Sequence, residues 1–248
     1  MRQFILAFIL LFPLAHPVLA AGAEDKARLK VSAGQIVDLE AMFRERHPRT
    51  LAILQADFPS DLEALIEKFA AIEKEGGGRH AMAARLFGEM SGLRRKYAEK
   101  LLFSPNPSLA KLLLRLADFY DQVLRAAGAD VCGRFAQDGA GLLFDLGLSE
   151  TFGETLDLQS EAFFDAVVRA IETPEYHGPA SSADWSVVMG AMIGLGGPPS
   201  YIATISAGDR NDPDLCPAQA AMFRASAVLT TPEGERTRAD LAKNLTGY

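Results

Sequence analysis

Beyond the first twenty residues the chain has three histidines, His47, His80 and His177, and none has a metal-ligating side chain three or four positions away. A helical zinc site needs two such ligands one turn apart, as in H-E-x-x-H, so the spacing predicts no metal site. Ser108-Leu109-Ala110-Lys111 has the S-x-x-K spacing that brings a lysine to a serine hydroxyl. The companion motifs S-D-N and K-T-G are absent, and so is a G-x-S-x-G elbow. Asp209, Asn211, Asp212 and Asp214 crowd one loop, but an EF-hand counted from Asp209 would need glycine where Asp214 stands and glutamate where Ala220 stands. No catalytic residue is assigned, and no cofactor is expected.

Five residues remain as candidate contacts for a partner or ligand: His177, Trp185, Asp209, Arg210 and Asp212. His177 sits in the loop Glu175-Tyr176-His177-Gly178-Pro179 between two apolar segments, and Trp185 is the only tryptophan. Asp209, Arg210 and Asp212 belong to a polar turn that leads into the segment opened by Cys216.

The charge is lopsided. The whole chain is at −7. Residues 21–103 carry 14 Lys/Arg against 13 Asp/Glu, whereas residues 104–248 carry 10 against 19. Between Arg134 and Arg169 stand seven acids (Asp138, Asp145, Glu150, Glu154, Asp157, Glu161, Asp165) and no base. Such a surface repels a phosphate backbone, so no nucleic-acid partner is expected.

Residues 1–20 read as a cleavable secretory signal. Arg2 is followed by the apolar run Phe4–Phe12, and Val18-Leu19-Ala20 supplies a small-x-small cleavage pattern. No Arg-Arg pair or lipobox cysteine accompanies it. The expected location is therefore periplasmic or secreted, with no membrane span after cleavage. In such a compartment the two cysteines, Cys132 and Cys216, are expected to form one disulfide. It would close a loop of about 85 residues.

The elements that must position these groups are all helical. Apolar residues at helical spacing mark 32–46, 50–58, 60–75, 80–103, 107–127, 160–173, 185–195, 216–229 and 232–245, with further helix around Cys132 and Phe135. Ser60 and Ser160 are read as helix caps, Gly128 as the residue past a helix end, and Gly76-Gly77-Gly78 as a hinge. Trp185–Leu195 is apolar on every side and is read as buried. No alternating strand pattern occurs. The expected fold is all-α, an irregular bundle of about nine helices with one disulfide. A helical hairpin region at 21–103 joins a helical core at 104–248 in one continuous unit.

With no intact catalytic motif, the function expected is a non-catalytic protein-binding factor of the cell envelope, such as an adaptor, chaperone or immunity-type protein, whose partner is another envelope or secreted protein. The alternatives are an envelope hydrolase using Glu89 or His177, and a helical small-ligand carrier.

Overall fold

A computed structural model of the protein describes residues 41–245 except 42, 76 and 77, and omits the side chains of 73 and 78–83. The expected signal at 1–20, the Gly76-Gly77 hinge and the His80 side chain lie outside the described residues. Residues 41 and 43–46 are helical, and after them the described residues form ten α-helices and one 3-10 helix, with no strand: α1 Pro48–Asp57, α2 Pro59–Glu75, α3 Gly78–Tyr97, the 3-10 helix Ala98–Phe103, α4 Asn106–Asp138, α5 Gly141–Asp145, α6 Gly153–Glu172, α7 Ser182–Gly194, α8 Ser200–Ala207, α9 Leu215–Val228 and α10 Pro232–Asn244. The all-α fold with one disulfide agrees with the periodicity.

Helix α4 is the axis of the molecule. Leu109, Leu112, Leu113, Leu116, Tyr120 and Val123 recur at helical spacing and are all buried. Its heaviest packing is against α9. There Ala218, Ala220, Ala225 and Ala227 are buried, and short side chains let the two backbones approach closely. The Tyr120 ring meets Phe135 and Phe223 edge-on at 5.0 and 5.4 Å between centroids. Gly128 interrupts α4 with φ of +84°, a conformation that favours glycine, and so the helix ends and restarts there. The restarted segment carries Cys132, whose Cα lies 5.6 Å from that of Cys216 at the start of α9, and the two are disulfide-bonded.

Three local readings are revised. Pro59 is the first residue of α2, where its missing N–H costs nothing, so Ser60 lies inside the helix and is not its cap. Ser160 lies mid-way along α6, which begins seven residues earlier at Gly153. The capping box of this region is Ser181 with Asp184, at the start of α7. Helix α7 is not buried all round: Val188 and Met192 face the core while Val187, Ile193 and Leu195 are exposed, Leu195 at 61%.

Helices α1, α2 and α3 form a layer over α6 and α5: α1 packs on α6 and α2, α2 on α3, and α3 on α5. Buried apolar residues from Phe43 to Leu245 make one continuous cluster. No helix among the described residues is long and apolar enough to cross a membrane.

Candidate binding cavity

Between this layer and α6 lies a cavity of about 1000 Å³. Its apolar wall is made by Phe43, Phe69 of α2, Leu86, Phe87 and Met90 of α3, Phe144 of α5 and Leu156 of α6. Glu45, Arg46, Arg49, Glu150 and Glu154 line it with exposed side chains, while Arg94, Asp157 and Ser160 line it with buried ones. The site is thus a polar, solvent-facing rim over an apolar and largely buried interior.

Asp157 and Arg94 define the interior polar face. Asp157, 1% exposed, points from α6 at the first turn of α1. Helix α1 has no side-chain cap of its own at His47. Instead Asp157 accepts from the Arg49 and Thr50 amides at 3.2 and 3.0 Å and from the Thr50 hydroxyl at 2.7 Å. A carboxylate there satisfies amides with no partner inside the helix and complements the positive end of its dipole. The Arg49 guanidinium adds a long ion pair at 4.0 Å.

Arg94 is the converse case. It is 2% exposed, and its Nη2 donates to Ser160 Oγ at 2.6 Å. Its Nε and Nη1 have no hydrogen-bond partner, and no carboxylate among the described residues pairs with it. Burial pushes its guanidinium down to about 10, which leaves it charged at neutral pH. An unpaired buried cation is costly to keep. The other cations of the lining are matched: Arg46 pairs with Glu150 at 3.3 Å, and Arg49 lies 3.9 Å from Glu161 besides Asp157. His47, beside Asp157 and Arg94, is held below the usual histidine range by burial; Asp157 opposes that shift, and Arg94 and Arg46 reinforce it.

None of the five candidate contact residues lines this cavity. His177 is buried, its Nε2 2.8 Å from the Ser104 carbonyl oxygen and its amide bonded to the Leu102 carbonyl, so it fastens the loop after α6 to the 3-10 helix. Glu175, His177 and Glu235 bring their ligand atoms within 4.8 Å of one another. Beside them burial lowers the Arg238 guanidinium, Glu235 and Glu175 oppose that shift, and its donors go to Ser226, Asn106 and Leu229. Trp185 is half-buried against the core. Asp209 accepts from the Asn211 amide at 2.9 Å; Asp212 accepts from the Thr204 hydroxyl at 3.0 Å and from the Asp214 amide at 2.9 Å. Arg210 faces Asp138 at 3.9 Å.

Of the residues weighed for catalysis, Glu89 pairs with Lys68 at 2.5 Å, and Lys111 with Glu161 and Asp165 at 3.8 and 3.5 Å. Much of the base-free acidic stretch is therefore met by cations from elsewhere in the chain, Arg46, Arg49, Lys111, Arg169 and Arg210.

Sequence reasoning missed Arg94, His47, Asp157 and Ser160. A signal existed for the first. Leu86, Met90 and Arg94 stand at i, i+4 and i+8, so Arg94 continues the apolar stripe of α3 and is flanked on it by Leu93 and Tyr97. A lone cation on such a stripe must be buried, paired or functional. Comparison with known protein families, curated proteins and solved structures finds no match to this chain.

Proposed function

We propose that the protein binds a small ligand in the cavity between α1–α3 and α6, as a non-catalytic helical carrier of the cell envelope. One observation carries this reading: a cavity of about 1000 Å³, apolar over most of its wall, with a few convergent polar groups. That combination is the usual make-up of a small-molecule site, and the volume is at the upper end for drug-sized ligands. The envelope setting rests on the signal-like pattern of residues 1–20 and on the Cys132–Cys216 bond, which suits an oxidising compartment.

The carrier reading comes before that of a protein-binding factor because it has a defined site. It also comes before the hydrolase reading, since Glu89 and His177 lie outside the cavity lining and are engaged elsewhere. A cavity-filling substitution tests it. Leu86→Trp should abolish binding of an apolar fluorophore to the purified protein while leaving the helical circular dichroism intact. Unchanged fluorophore binding in the folded variant would place the ligand elsewhere.

A further inference from the structure

We infer that the cavity's ligand is a monocarboxylate with an apolar chain, its carboxylate held by Arg94. The inference rests on the carrier reading and adds the chemistry of the head group.

A guanidinium presents its donors in a planar fork that suits a carboxylate. Nη2 of Arg94 gives one of its two N–H groups to Ser160 Oγ at 2.6 Å, and Nε and Nη1 have no partners, so the second Nη2 N–H can form a fork with one of them for a carboxylate. That tether, from the buried face of α6, fixes the guanidinium plane and costs it no charge. The side chain is 2% exposed, so its charge is poorly screened by water and attracts an anion strongly.

The charge balance of the lining selects among anions. Arg46 and Arg49 are already paired, which leaves Arg94 as the one unmatched cation among the lining residues. Four carboxylates, Glu45, Glu150, Glu154 and Asp157, share the same lining. A single negative charge neutralises Arg94. A phosphate dianion would bring a second charge into a wall already rich in acids. The remaining wall, Phe43, Phe69, Leu86, Phe87, Met90, Phe144 and Leu156, offers hydrogen bonds to nothing and suits a hydrocarbon chain.

Calorimetric titration of the delipidated full-length mature chain with dodecanoate, dodecan-1-ol and dodecyl phosphate separates these terms. The expected result is dodecanoate tighter than either of the others by about ten-fold or more. In Arg94→Met that preference should vanish, with the alcohol binding as before, and Arg94→Lys should keep part of it. Arg94→Met without ligand should also melt at the wild-type temperature or above it, because it removes an unmatched buried cation. Equal binding of dodecanoate and dodecan-1-ol to the wild type would overturn the head-group assignment and leave the carrier reading standing. Tightest binding of the phosphate would overturn the monocarboxylate. Binding of none of the three would overturn both. Should Arg94→Met fail to fold, Arg94→Lys carries the test, and a dodecanoate preference in it undiminished from the wild type would overturn the assignment to Arg94.

Discussion

Asp157 caps a helix that begins more than a hundred residues before it: its carboxylate takes the Thr50 amide at 3.0 Å and the Thr50 hydroxyl at 2.7 Å. The contact joins α1 to α6 and at the same time forms part of the cavity wall. Asp157→Ala leaves two amides of α1 without acceptors inside the protein and the Thr50 hydroxyl with only the backbone carbonyl of residue 157 at 3.4 Å. It should lower the unfolding free energy by about 2–3 kcal/mol, read from the urea midpoint. Thr50→Val keeps the amide bonds and should cost less. Equal losses in the two variants would mean that the hydroxyl, not the helix terminus, carries the contact.

His47 makes stability depend on pH. Burial keeps it neutral in the folded protein below the pH at which an unfolded chain would protonate it. The groups around it are Asp157, which favours its charged form, and Arg94 and Arg46, which disfavour it. As pH falls below about 6.5 the unfolded chain binds the proton first, so stability drops with falling pH. The contribution is complete above that pH and is lost as pH falls through the lowered folded value. In His47→Gln the urea midpoint should vary less between pH 7 and pH 5 than in the wild type. An unchanged slope would contradict this account.

The Cys132–Cys216 bond closes a loop with a sequence separation of 84. Reduction should cost about 4–5 kcal/mol by the chain-entropy argument, seen as a lower urea midpoint in reductant. Mass analysis after alkylation without reductant should show no modified thiol in either the native or the urea-unfolded chain. Two alkylated cysteines would refute the bond.

Gly133 allows the closest approach of a loop to α4. A Cβ there would lie 2.3 Å from the Arg210 carbonyl oxygen, a backbone atom with little room to yield. Gly133→Ala should destabilise the fold by about 1–3 kcal/mol through overpacking. Gly88→Ala, where a Cβ meets nothing within 4 Å, is the matched control and should be neutral or slightly stabilising.

The helices were legible because apolar spacing follows burial. Leu109 to Val123 predicted α4, and cysteine parity with an export-like N-terminus predicted the disulfide. The Gly128 break was legible too, since only a backbone turn of positive φ needs a glycine there. The cavity was not legible as a whole. Its lining is drawn from residues 43–50, α2, α3, α5 and α6, and nothing in local spacing shows which faces will meet. Ser160 and Asp157 stand on the buried face of α6 among Leu156, Phe163 and Phe164, whereas the sequence alone reads Ser160 as a helix cap and Asp157 as one acid of a charged stretch. Arg94 adjoins Arg95 and Lys96 in the sequence and so resembles part of a charged face, although its register with Met90 turns it inward. Helix α7 misled in the other direction: its composition suggests burial, yet only one side finds a neighbour.

The cross-link also divides the molecule into two tiers. Residues 132–216 form a covalently closed ring that contains α5 and α6, whereas α1, α2 and α3 lie wholly outside it. The cavity runs along the seam between these tiers, one wall within the ring and the other held to it by Asp157, Ser160, the Arg46–Glu150 and Arg49–Glu161 ion pairs and apolar contacts. On the proposed carrier reading, breathing of the outer tier is the motion expected to admit and release a guest, with the ring shut throughout. Amide protons of α1 should exchange with solvent sooner than those of α4, and a bound guest should slow the first set far more than the second.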